Sequence, residues 1–190
     1  MLRDTVDPTA APSCPAPRSL AVAFVCCFAV ALIASGRANA DALPTLNPVA
    51  YNALRSVTGA YRFTVDCTYG PKSTEAEGLA FPPYRGQRAQ VFIRSWVCAA
   101  VNRAATGRWD ASNGTQAMAL LVLTHESVHV SPFAGARLEH LTECRAIALF
   151  PALLAALDAP ARIVPAFVSW ASAAHERLLA SDPQLYGPAC

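Results

Sequence analysis

The chain has 190 residues, 54% of them apolar, and carries 15 Lys and Arg against 13 Asp and Glu. No basic cluster stands out, so neither a nucleic-acid surface nor an acidic-membrane surface is indicated. The length suits one domain with a real core and is too short for two.

Residues 1–40 read as a leader. Arg3 and Arg18 precede an uncharged apolar run over residues 20–35, and Gly36-Arg37 leads to Ala38-Asn39-Ala40, an A-x-A cleavage signal. The run is short of the ~20 residues that span a bilayer. The reading is a cleaved signal peptide cut after Ala40, with an uncleaved N-terminal anchor as the alternative. Residues 41–190 then form a single exported domain, expected as a monomer and free of the membrane after cleavage. Four cysteines remain in it, Cys67, Cys98, Cys144 and Cys190. An even number in an exported chain reads as two disulfides, for which three pairings exist. There is no C-x-x-C pair to support a cysteine metal site.

The lead-in contains a short helix punctuated by Pro44 and Pro48 and stopped by Gly59. Tyr61, Phe63, Val65 and Cys67 then alternate with Arg62, Thr64, Asp66 and Thr68, a period-2 strand with Cys67 on the apolar face. Residues 78–81 and 90–94 read as two further strands. Together they predict a small antiparallel sheet. From Trp96 onward the pattern is helical. One helix runs to Ala105 and is closed by Gly107. A second starts at the cap-rich turn Ser112-Asn113-Gly114-Thr115 and is terminated by Pro132. Asn113-Gly114-Thr115 also matches a glycosylation sequon, but the cap explains it without modification. A third helix begins near Arg137 and is kinked or broken at Pro151. A fourth, residues 161–180, is amphipathic, with Pro165 near its start where a proline is tolerated. The fold class is α+β, mainly helical.

Inside the second helix lies His125-Glu126-Ser127-Val128-His129. On a helix, two histidines four apart lie about 40° apart around the axis and about 6 Å apart along it, so both imidazoles reach one tetrahedral zinc. Glu126 leans toward the water held at the open position, as a general base requires. Two histidines do not complete such a site, and the helix after the turn offers Glu139 and Glu143 on one face. Gly and His are missing from the offsets that a metzincin needs.

Together with the downstream Leu141-Thr142-Glu143-Cys144-Arg145-Ala146, the motif resembles the gluzincins, the thermolysin-type zinc peptidases, and most narrowly short secreted actinobacterial metallopeptidases. The resemblance covers about residues 117–150. It implies a compact zincin-like domain, with the H-E-x-x-H helix packed on a glutamate helix, one Zn2+ per chain, a peptide or protein substrate, and residues 90–94 as the edge strand that pairs with that substrate in extended form. Two registers compete. In one, Glu143 is the third ligand, followed by the small Ala146. In the other, Glu139 is the ligand and Glu143 is the acid that orients a ligand histidine. Glu143 is the expected ligand, on the ground that a helix returning after the turn needs one turn of depth to pass alongside His125 and His129. The metal set is thus His125, His129 and Glu143, with Glu126 catalytic.

His140 reads as a surface or interhelical histidine and His175 as a packed one; a lesser reading makes His175 an oxyanion stabiliser. Trp96, Trp109 and Trp170 read as core or cleft wall. The expected disulfides are Cys67–Cys98, tying the strand to the following helix, and Cys144–Cys190, pinning the tail beside the glutamate helix. Two other functions stand beside the secreted peptidase: a zinc-binding module without peptidase activity, and a disulfide-stapled helical domain with a fortuitous motif.

Overall fold

The computed structural model describes residues 45–68, 77–112, 114–186 and 190. The leader and Asn113 of the sequon lie outside the described residues. Helix α1 (Pro48–Thr58) has Asn47 as N-cap, its side chain accepting from Val49 N, with Pro48 at the first position. Gly59, at φ +69°, closes it and donates to Arg55 O. The Asn102 side chain ties this entrance to the next helix, accepting from Asn47 N at 2.7 Å and donating to Thr45 O at 2.7 Å.

Strands β1 (Phe63–Asp66), β2 (Gly78–Phe81) and β3 (Ala89–Ile93) form a sheet of order β1-β3-β2. The expected antiparallel sheet is corrected to a mixed one: β2 pairs antiparallel with β3, but β1 pairs parallel. A short link returns the chain from β2 into β3, which makes that pair antiparallel. β1 then takes the other side of β3, running in the same direction. Period-2 alternation specifies a strand and its buried face, not its direction. For the same reason residues 90–94 are no edge. β3 is the central strand, and its Ala89, Val91 and Ile93 are fully buried.

Helix α2 (Ser95–Ala105) follows β3 directly and is joined to the end of β1 by the Cys67–Cys98 disulfide. Buried Gln116 fixes the following turn. Its amide donates to Ala100 O and Arg108 O and accepts from Asp110 N. Helix α3 (Thr115–His129) is the hub, packed against α1, α2, β2, β3 and the two helices that follow. Leu120, Leu121, Leu123, Ala119 and Val128 point in different directions around it and are all buried. Its buried hydroxyls need no outside partner. Thr124 donates to Leu120 O at 2.6 Å and Ser127 to Leu123 O at 2.7 Å.

Helix α4 (Glu139–Ala156) starts two residues later than expected and runs unbroken through Pro151. Pro151 is exposed, so its ring sits on the solvent side, where the carbonyl it leaves without a donor can be hydrated. Helix α5 (Val164–Ser181) carries Pro165 at its start, and the four-residue α6 (Pro183–Tyr186) follows. The Cys144–Cys190 disulfide fastens the tail to α4, as expected. Among the described residues no helix is long and apolar enough to cross a membrane.

The turn before α3 depends on glycine for two reasons. Gly114 has φ +71°, and a Cβ there would stand 2.6 Å from Trp170 Cδ2. Gly114→Ala is expected to destabilise the fold by about 2–3 kcal/mol, from left-handed backbone strain and displacement of the indole. In a Trp170→Ala background the cost should fall to the backbone share, about 1 kcal/mol. Urea unfolding of the four proteins measures the difference.

Candidate metal centre

The last turns of α3 meet the first turns of α4 at the floor of a cleft of about 1090 Å³, walled by β2 on one side and by α5 and α6 on the other. Each motif histidine has one ring nitrogen engaged by the scaffold. His125 Nδ1 lies 2.7 Å from Glu143 Oε2, and His129 Nδ1 lies 2.5 Å from the Ala136 carbonyl oxygen. An oxygen of this kind accepts from an N–H, which assigns the proton to Nδ1 in both rings and leaves both Nε2 atoms for the cleft.

The two Nε2 atoms are 3.0 Å apart. Glu139 Oε2 is 3.2 Å from His125 Nε2, and Glu139 Oε1 is 3.4 Å from His129 Nε2. Zinc–nitrogen bonds of about 2.0–2.1 Å set two donors of a tetrahedron about 3.3–3.4 Å apart. Two imidazoles and one carboxylate at these separations suit three corners of a tetrahedral metal site, so His125, His129 and Glu139 can hold a metal ion.

The third member differs from the residue expected. Glu143 lies outside the group and grips the far side of the His125 ring, the place described for it in the alternative register. The physical reason is where α4 begins. The chain reverses over residues 130–138 and enters α4 at Glu139, so the first turn, not the second, passes over the imidazoles. His140 is outside the group as well. His175 is buried on α5, facing Glu143. A second set of possible donors, Cys144, His175 and Cys190, is also close together. Its two sulfurs are bonded to each other and are not thiolates.

Glu126 points into the same cleft and is mostly buried. Its back rests on β2. A Cβ at Gly78 would come within 2.8 Å of Glu126 Cγ and Oε1. Glu77, just before Gly78, accepts from Trp96 Nε1 at 2.9 Å and so anchors the start of that strand. Burial pushes the Glu126 carboxyl above its ordinary range, against the opposing pull of His125 and His129. Burial also works against a charged His125, but the hydrogen bonds to Glu139 and Glu143 and the nearby carboxylate charges outweigh it and hold this ring up to about 10. Hydrogen bonds from His125 and His129 keep Glu139 far below the usual carboxylate range.

Three contributors were not found from the sequence. Gly78 has no functional group. The Ala136 carbonyl belongs to a turn with no chemical signature. Tyr186 lines the cleft from α6, and burial, with the charges of Glu139, Glu143, Asp182 and Glu126, raises its phenol, so it stays a hydrogen-bond donor. Asp182-Pro183 marks only the end of α5. In comparisons with protein-family models, with curated proteins and with solved structures, nothing matches this chain.

Glu139→Ala is expected to remove zinc binding, whereas Glu143→Ala should weaken it by roughly 10–100-fold, the usual effect of losing the partner of a ligand histidine. Competition with a chromogenic chelator reads both, and the reverse order would return the ligand to Glu143. Metal and proton compete for His125 Nε2. With that ring protonated up to about pH 10 in the metal-free protein, zinc affinity should rise with pH between 6 and 9, and each ion bound near pH 7 should release about one proton. Calorimetry in buffers of different ionisation enthalpy measures the release; no release would show that His125 is neutral before the metal arrives.

Proposed function

We propose that this protein is a secreted zinc-dependent peptidase of gluzincin type, holding one Zn2+ through His125, His129 and Glu139 and using Glu126 as its general base. The observation that carries the reading is the set of donor separations, 3.0, 3.2 and 3.4 Å, beside a buried carboxylate aimed into the same cleft. Bound zinc would supply Lewis acidity at its open position, polarising a substrate carbonyl and lowering the pKa of a water to around 7.

The remaining work falls to the chain. Glu126 takes a proton from the attacking water and passes it to the leaving amine nitrogen, roles that suit a carboxyl raised toward neutral pH. Tyr186 offers its O–H to the carbonyl oxygen as negative charge develops there. β2 is an edge strand, bonded to β3 on one side and to no other strand among the described residues. All four of its residues line the cleft. An extended peptide adding to that edge would gain backbone hydrogen bonds with little sequence selectivity. Leu79, Phe81 and Tyr84, exposed at the mouth of the cleft, favour apolar side chains beside the cut bond. The two disulfides suit an oxidising compartment, in keeping with the leader read over residues 1–40.

Glu126→Gln should abolish hydrolysis of a casein or peptide substrate while keeping full zinc content, because the donors are untouched. A variant that stays active would disprove the mechanism. Wild-type protein that binds zinc and cleaves nothing would favour the binding-module alternative. Gly78→Ala should also lower kcat, by about 10–100-fold with zinc retained, because the added methyl pushes the base out of place and small misplacements of a reacting group cost about that much.

A further inference from the structure

Glu143 is the least exposed carboxylate of the centre, at 3%, yet only half of it is explained. Oε2 accepts from His125 Nδ1, but Oε1 is buried without a hydrogen-bond partner. Facing it, 3.9 Å away, is His175 Nδ1, which is buried and unpartnered too. Two polar atoms of complementary type, both otherwise orphaned, confront each other across a gap slightly longer than a hydrogen bond. On its other side His175 is backed by sulfur. Its Nε2 lies 3.3 Å from Cys190 Sγ, and Cys190 is bonded to Cys144, the residue after Glu143. The ring is wedged between the disulfide and the carboxylate and has little room to retreat.

We infer that His175 is a positioning residue for the metal centre. It steadies the Glu143 carboxylate, which in turn keeps the proton of His125 on Nδ1 and its Nε2 turned toward the metal donors. The inference rests on the zinc reading above. A carboxylate held through only one of its oxygens can pivot about that contact, and the ligand ring that it grips would then lose its fixed orientation. His175 touches neither His129 nor Glu139, so its influence passes through Glu143. If its role were only to fill space, a side chain of similar size would replace it. Positioning needs a donor on the Nδ1 side of the ring.

Two variants separate these roles. His175→Asn keeps an N–H donor near the place of Nδ1, and His175→Leu keeps bulk without a donor. With the purified full chain and zinc in competition with a chromogenic chelator, the Asn variant should stay within about 3-fold of wild type. The Leu variant should lose about 10-fold, the lower end of what an outer partner of a ligand histidine contributes. Adding Glu143→Gln to His175→Leu should cost little beyond Glu143→Gln alone, because both act along one path. Equal losses for Asn and Leu, or additive losses in the double variant, would overturn the inference. If wild-type protein binds no zinc, the zinc reading fails by itself. Long-range proton–nitrogen NMR of the metal-free wild type then decides this one, as it does if the variants fail to fold. A proton on His175 Nδ1 and a slowly exchanging proton on His125 Nδ1 are expected; a His175 protonated at Nε2 alone would refute it.

Discussion

The described residues are arranged around a helix with almost no surface to spare. α3 is packed by helices and strands on every side except the one that floors the cleft, and its buried polar residues must find partners within the protein. Thr124 and Ser127 solve this by bonding back to their own helix. His125 and His129 cannot, and their Nδ1 atoms are taken by α4 and by the turn leading to it. The same burial that makes those hydrogen bonds necessary also fixes the rings, leaving both Nε2 atoms directed at one point. A cluster of groups able to hold a metal ion and a hydrophobic core are here two consequences of one packing arrangement.

The electrostatics follow from that crowding. Glu126, Glu139 and Glu143 share a small volume with two imidazoles, and their environments drive them apart. Glu139, bridging both rings, is held strongly anionic. Glu126, backed by strand and taking only distant help from the histidines, is driven toward its neutral form. One carboxylate is suited to hold a cation and the other to exchange a proton. The spacing of His125-Glu126-Ser127-Val128-His129 marks Glu126 for its part, whereas residue type alone does not separate Glu139 from Glu143.

The parts legible in the sequence are those whose geometry is local. The H-E-x-x-H spacing places two imidazoles on one helix face wherever that helix lies. The alternation through Cys67 marks the strand and the buried side of its cysteine, and of the three possible pairings the one expected, Cys67 with Cys98 and Cys144 with Cys190, is the one formed. The failures are all non-local. Whether β1 runs with or against β3 depends on which side of the hairpin it joins. Whether Glu139 or Glu143 lies beside the histidine Nε2 atoms depends on the residue at which α4 starts, and with the helix beginning at Glu139 it is Glu139 that lies there. Pro151 read as a break because its exposure was not knowable. His175 and Tyr186 come to the centre only through the packing of α5 and the fastening of the tail.

Gly78 shows what the absence of a side chain can contribute. A glutamate in water samples many rotamers, and ordering one costs on the order of 1.5–2 kcal/mol. With the strand backbone pressed against Cγ and a carboxylate oxygen, Glu126 has lost its rearward rotamers before any substrate arrives. The freedom left to it is toward the cleft, the direction that the proposed proton transfer requires. That restriction is set during folding by a residue with no chemistry of its own, so a search of the chain by functional group passes over a position that orients the proposed base.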